Sequence, residues 1–367
     1  MNLRPRTHPL RARRQGSLLL VAALAAGVVV GGCASPAHPL QAQAPAPAAV
    51  GNVAPVSGSL ERLEREIERL AEIAGGTVGV GAIHLQTGRA VYLNGDEAFP
   101  MASSYKVPIA VELLRRVDAG ELSLDSMYVL GPGDVSPGSG TLGALYQHPG
   151  VSLSLRNLTE LMLLISDNSA TDVVLRAAGG PAAVTERMRA VGVPRIRVDR
   201  STTGLIADFL GMRNLPPEQD LTVERFGQLM REVSADERSA AARAFDSDAR
   251  DTATPRAMAR LLERIWRHEI LSPESSILLL DIMRRSTTGG DRIIGMLPPG
   301  IAVAHKTGTI GGTTNDVGII TLPDGAGDVV TVLFVKGSQL EIPVRERAIA
   351  QISRSIYDYF LFNPDGD

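Results

Sequence analysis

An α/β fold follows from three features of this 367-residue chain. Two strand-like runs stand near the start of its folded part and three more near its end. Between them lies a long stretch dominated by helical patterns. Neither set of strands could form a stable sheet alone, so the first must pair with the last. The expected architecture is one mixed α/β sheet with an all-helical insert between its halves.

The elements can be justified in chain order. Leu60, Leu63, Ile67, Leu70 and Ala74 recur at helical spacing with Glu and Arg between them. Gly75-Gly76 stops that helix. Thr77 to His84 and Ala90 to Leu93 are strand-like and are joined by a turn at Gln86-Thr87-Gly88. Helical patterns dominate from Ser103 to about residue 193. Pro181, Pro255 and Pro273 each follow a Gly, Thr or Ser, the cap-then-proline signature of a helix start. Strand patterns return at Ile301 to His305, Val317 to Leu322 and Val329 to Val335, and Glu341 to Phe360 reads as a closing amphipathic helix.

The first 33 residues read as a leader. Five arginines precede a 13-residue apolar run from Leu18 to Val30, too short to span a bilayer and right for a signal peptide. The run ends in Val30-Gly31-Gly32-Cys33, which resembles the lipobox of bacterial lipoproteins. Cys33 is the only cysteine, so it is the expected lipidation site, and no intrachain disulfide can form. Residues 34–57 are rich in Ala and Pro without apolar periodicity, the composition of a disordered tether. The expected location is the periplasmic face of a bacterial membrane, reached through a lipid anchor, or the periplasm itself. Residues 58–367 form the expected catalytic domain.

Hydrophobic content of 44% and charged content of 21% are ordinary for a globular protein. The formal net charge is -3, and it falls to -8 once the leader's five arginines are removed. An acidic chain with no basic run argues against nucleic acid as a partner. No feature calls for a metal or an organic cofactor, and a monomer is expected.

Lysine is nearly absent. Only Lys106, Lys306 and Lys336 stand among 37 basic Lys and Arg residues. Arginine supplies charge but cannot lose a proton near neutral pH. Two of the three lysines sit in short polar strings. Ser103-Ser104-Tyr105-Lys106 puts a hydroxyl and an amine three residues apart, on one face of a helix. A serine needs an adjacent base to act as a nucleophile, and a lysine is one when burial depresses its pKa. The apolar Val107-Pro108-Ile109-Ala110-Val111 that follows makes the helix a buried one. Ser166-Asp167-Asn168 ends an apolar run and must find polar partners. Lys306-Thr307-Gly308 ends a strand-like run, where the glycine allows close approach of a ligand to the backbone. Each string alone is weak. A chance S-x-x-K, a helix cap and a hairpin turn would explain them separately.

Together, in this order, they resemble the S-x-x-K, S-D-N and K-T-G set of class A serine β-lactamases and penicillin-binding proteins. Gly179-Gly180-Pro181, Val198-Asp199-Arg200 and Asp251-Thr252-Ala253-Thr254-Pro255 are similar to class A landmarks, and the likeness runs from about Ser59 to Phe360. It implies a mainly antiparallel sheet with flanking helices. It implies acylation at Ser103, Lys106 as the base, and Ser166 as proton shuttle to the leaving nitrogen. Asn168, Lys306 and Thr307, with Gly308 and Thr309 beside them, would hold the substrate, and the N–H groups of Ser103 and Thr309 would form the oxyanion hole. The family's arginine behind the carboxylate site falls on Val317 here; Arg292 could reach that place from another loop.

The pattern breaks after Asp199-Arg200. Where hydrolytic members carry the glutamate that activates water, this chain has Thr202, and Ile206 replaces the asparagine four residues on. The loop of about 201–250 is longer than usual, and Asp208, Glu218 or Glu224 could fold back to substitute. The resemblance therefore implies β-lactam hydrolysis, and the missing base implies that it is slow. The alternatives are a D,D-peptidase-like enzyme acting on cell-wall peptides and a β-lactam receptor that stays acylated.

Overall fold

The computed structural model describes residues 59–145, 150–217 and 220–364. The expected leader and tether, Cys33 included, lie outside the described residues. Helix α1 (Ser59–Ala71) buries Leu63, Ile67 and Leu70, tightens into a 3₁₀ turn and stops at Gly75, whose φ is +63°. Strands β1 (Thr77–His84) and β2 (Ala90–Leu93) form a hairpin, followed by the short β3 (Phe99–Pro100). A 3₁₀ turn over Ala102–Tyr105 leads directly into α2 (Lys106–Asp118).

The insert follows. It holds β4 (Met127–Val129), α3 (Leu142–Leu145), β5 (Ser152–Ser154), α4 (Leu155–Leu164), α5 (Asn168–Ala177) and α6 (Gly180–Ala190). After it come α7 (Thr202–Phe209), α8 (Val223–Glu232), α9 (Ala235–Phe245), β6 (Thr252–Ala253), α10 (Pro255–Trp266) and α11 (Pro273–Arg284). Strands β7 (Val303–Ile310), β8 (Thr313–Thr321) and β9 (Asp328–Lys336) and helix α12 (Ile342–Phe362) close the chain.

The main sheet has the order β2-β1-β9-β8-β7 and is antiparallel throughout. The first strands do pair with the last: β1 runs against β9 from Thr77 opposite Lys336 to His84 opposite Val329. One sheet face packs on α2, α10 and α11 through residues such as Ile109, Leu262 and Ile282. The other packs on α1 and α12 through Ile67, Ile349 and Ile356.

Five sequence expectations need correction. The insert is not all helical, because β4 and β5 pair as a small ribbon. Ser103 lies in the 3₁₀ turn ahead of α2 rather than within an α-helix. The Lys306-Thr307-Gly308 string is the middle of β7, not its end, and β8 begins four residues earlier than its apolar pattern suggested. Polar Thr313, Thr314, Asn315 and Asp316 broke that pattern, yet all are fully buried because the strand packs against the turn that carries Ser103. The segment 201–250 holds, besides the helix its pattern near 221–233 suggests, α7 and α9 where a loop was expected, and α7–α9 gather around a small core of their own at Ala207, Met212, Leu221 and Phe226.

Asn315 joins the sheet to the turn. Its amide nitrogen donates to Pro100 O at 2.8 Å and Met101 O at 3.0 Å, and its oxygen accepts from Val335 N. Asn315→Ala removes three side-chain hydrogen bonds to buried backbone groups and is expected to cost roughly 2–4 kcal/mol in chemical denaturation. A loss below about 1 kcal/mol would show that the turn is held by other means.

Candidate active site

Strand β7 approaches the Ser103 turn without any side chain between them. A Cβ on Gly308 would fall 2.5 Å from Met101 O and 3.0 Å from Ser103 N. What the glycine accommodates is therefore the protein's own backbone. Two non-glycine residues take left-handed backbone angles here, Ala102 at φ +45° and Ser166 at φ +59°. Such angles cost on the order of 1–3 kcal/mol each and persist only where surrounding contacts impose them.

Asp167 imposes the second. Its carboxylate caps α5 by accepting from Ala170 N and also accepts from Thr141 N and Leu142 N, which ties the rim loop to the Ser166 turn. Ser139 Oγ, on that loop, donates to Ser166 O at 2.8 Å.

Beneath the cleft floor lie two amines. Lys106 and Lys306 are both fully buried. Lys106 Nζ donates to Ser166 O (2.7 Å), Ser166 Oγ (3.1 Å) and Asn168 Oδ1 (2.9 Å). Lys306 Nζ donates to the same Ser166 Oγ at 3.0 Å and to Thr307 O at 2.9 Å. One hydroxyl thus bridges two lysines from different elements. Burial pushes the Lys106 amine down to about 7, against the opposing pull of Asp172 and Asp167. Burial also lowers Lys306, and the neighbouring Lys106 and Arg292 lower it further, opposed by Asp316. At neutral pH the pair can therefore offer an unprotonated amine, the state a general base requires.

Ser103 is half-buried and lines a cleft of about 290 Å³ with Asn168, Thr309 and Ser139. Its hydroxyl is not among the hydrogen-bond partners of Lys106 Nζ, all of which lie on the Ser166–Asn168 turn. The main chains do meet, since Lys106 N donates to Ser103 O. Asn168 Nδ2 gives a hydrogen bond to Pro137 O. Thr307 Oγ1 pairs with Thr288 Oγ1 at 2.8 Å. Arg292 is buried behind β7, where its guanidinium donates to Thr309 Oγ1, Gly308 O and Asn315 O and pairs with Glu346. Val317 lies opposite Lys306 on β8 with its side chain in the core. His305 is held by Asp316 through Nδ1, on a buried contact outside the cleft.

The opposite wall is α7, and it is apolar. Leu205, Ile206, Phe209 and Leu210 face the cleft, and Thr202 faces it at the helix start. Thr202 Oγ1 is hydrogen-bonded to Tyr105 OH. Among the described residues, no carboxylate lines this cleft. Asp208 is paired with Arg200 and Arg250 away from it. Glu224 is exposed on α8, and Glu218 lies outside the described residues.

Three contributors were missed in the sequence. Asp172 accepts from Thr202 N, Thr203 N, Thr203 Oγ1 and Ser136 Oγ, so it caps α7 and fixes the wall. It stands one helical turn after Asn168, a spacing that could have drawn attention. Thr288 and Tyr105 carried no signal beyond being polar near a motif. The landmarks Asp199-Arg200 and Asp251 prove to be one knot: Asp251 accepts from Asp199 N, Arg200 N and Arg200 Nε and closes the base of the α7–α9 segment.

Comparison with known proteins agrees with this geometry. The profile described as "Beta-lactamase enzyme family" matches residues 62–360. A β-lactamase of Streptomyces albus G is 31% identical over 340 residues, which cover 90% of this chain and 93% of that one. The extended-spectrum β-lactamase PER-1 of Pseudomonas aeruginosa is 29% identical, over 82% and 87% of the two chains. Among solved structures, a β-lactamase from Chitinophaga pinensis superposes with a TM-score of 0.65 at 31% identity, over 81% of this chain and 98% of that one. An ancestral class A β-lactamase gives a TM-score of 0.64 at 31% identity, over 81% and 99%. With its buried lysine pair, its glycine-bearing β7 and these relatives, the chain belongs to the class A serine β-lactamase family.

Proposed function

We propose that this β-lactamase-family serine hydrolase is acylated at Ser103 by β-lactams and that release of the acyl group is its slow step. One observation carries the reading: Ser166 Oγ bridges two buried amines, one of which also donates to Asn168 in the wall of the cleft that Ser103 lines.

Ser103 Oγ adds to the lactam carbonyl carbon and its proton passes to the unprotonated amine of Lys106. The C–N bond breaks, and the leaving nitrogen takes a proton from Ser166 Oγ, which is replenished from the lysine pair. In this reading Lys106 Nζ turns from its Ser166 and Asn168 acceptors toward Ser103 when substrate binds. Backbone N–H groups of Ser103 and Thr309 would receive the oxyanion, worth about 3–4 kcal/mol per donor in comparable sites. Asn168 would hold the acyl amide. Thr307 and Thr288 would hold the substrate carboxylate, with Lys306 and Arg292 supplying positive charge behind them.

Hydrolysis then needs a water and a base, and the α7 wall offers neither a carboxylate nor an unengaged hydroxyl. A missing general base is worth about 10²–10⁴ in rate. This favours a long-lived acyl-enzyme, so a β-lactam receptor that turns over rarely is the second reading. For the leader, we propose export with lipidation at Cys33, and residues 34–57 as tether to the membrane.

Incubation with a fluorescent penicillin should label Ser103 once per chain, while a chromogenic cephalosporin is hydrolysed slowly after a burst. Ser103→Ala should abolish the label, and labelling of that variant at another residue would refute the assignment. The acylation rate should rise with pH through about 7, because only the unprotonated Lys106 accepts the serine proton. Lys106→Arg should lose that limb along with most of the rate; a flat profile in the parent protein would remove Lys106 as the base. Thr202→Glu should speed release by about 10²-fold or more. An unchanged release rate in that variant would show that deacylation is limited elsewhere.

A further inference from the structure

A second cavity adjoins the cleft, and Phe209 is the one residue common to the two linings. The cleft measures about 290 Å³ and its neighbour about 490 Å³. The neighbour lies between α9, the β7–β8 turn and the start of α12, where Ser239, Gly311, Leu340 and Arg345 line it. The Phe209 ring bridges from α7 to the β7–β8 turn. A Cβ on Gly311 would meet its Cε2 at 2.7 Å and its Cζ at 2.8 Å, so only a glycine lets the ring lie there. Behind it, Phe245 of α9 meets the ring edge-on at 5.5 Å. Phe209 thus stands between the two cavities, wedged between a glycine and a second ring.

Volume decides what this does. Small-molecule sites usually measure about 300–1,000 Å³. The cleft alone lies at the bottom of that range, so the reacting nucleus and its substituent compete for its space. The two cavities joined would lie well within the range. We propose that Phe209 is a specificity-determining residue: it confines the acyl half of the cleft to compact apolar substituents and shuts long or branched ones out of the adjoining cavity. The compact class matches the Leu205, Ile206 and Ile310 surfaces that the acyl group would touch. This inference rests on acylation at Ser103.

The test uses the full chain as parent, Phe209→Ala and Phe209→Leu, with two penicillins on one nucleus. One bears a benzyl acyl group and the other a long, branched aryl-bearing one. Acylation of Ser103 is timed by intact mass, and folding is checked by thermal unfolding. The parent should react faster with the compact penicillin by about tenfold or more, the range that pocket fit commands. Phe209→Ala should shrink that ratio by about tenfold, and Phe209→Leu should fall between. A parent that reacts equally with both, or a ratio that neither variant alters, overturns the proposal. Should Phe209→Ala fail to fold, Phe209→Leu decides alone. Absence of labelling by either penicillin in the parent would instead refute acylation at Ser103, a result distinct from labelling at an unchanged ratio.

Discussion

Two amines that share one hydroxyl in the buried interior constrain everything around them. A fully buried ammonium is costly to hold, and two side by side cost more, because neither reaches water and each opposes the other's charge. The protein meets this with oxygen acceptors rather than with a touching carboxylate. Lys106 has Ser166 O, Ser166 Oγ and Asn168 Oδ1; Lys306 has Ser166 Oγ and Thr307 O. Carboxylates act from farther away: Asp172 and Asp167 oppose the loss of charge at Lys106, and Asp316 does so at Lys306. The balance leaves Lys106 near the point where it can exchange a proton. A directly paired carboxylate would have fixed it as a cation, as the arginines of this chain are fixed.

That arrangement needs three separate elements to meet within hydrogen-bond distance. Lys106 starts α2, Ser166 ends the turn before α5, and Lys306 is central in β7. Gly308 brings β7 onto the Ser103 turn, Asn315 fastens β8 to the same turn, and Asp167 secures the rim loop. Strain at Ala102 and Ser166 is the visible cost of holding the groups together. The long β1–β9 pairing matters to the site because it closes the sheet on which β7 is the edge strand.

Much of this was legible in the sequence, for identifiable reasons. Lysine is so scarce that its two motif positions stood out, and chemistry that needs a removable proton cannot be met by arginine. Helix starts marked by Pro181, Pro255 and Pro273 were found because capping is local. The pairing of first and last strands followed from sheet stability alone. What could not be read depended on partners distant in the chain. The polar start of β8 looks like a loop because Thr313, Thr314, Asn315 and Asp316 give no apolar alternation; only contact with the Ser103 turn makes their burial tolerable. Asp172 is one acid among forty until α7 is placed over it. The ribbon of β4 and β5 is too short for its pattern to register.

The departure at Thr202 reaches further than the loss of one carboxylate. A water poised to attack an acyl group needs two to four polar partners to hold it. On the α7 side the available groups are already committed: Thr202 Oγ1 is bonded to Tyr105 OH, and Thr202 N and Thr203 N are given to Asp172. The next turns present Leu205, Ile206 and Phe209. Asp172 is therefore spent on capping the helix, with both of its oxygens occupied, although it lies near enough to influence Lys106. The α7 wall thus presents apolar side chains and committed polar groups to the cleft, while the facing side carries the polar groups to which acylation is assigned under the proposed function. In the proposed mechanism, acylation and release therefore draw on different elements, the lysine pair for the first and the α7 face for the second.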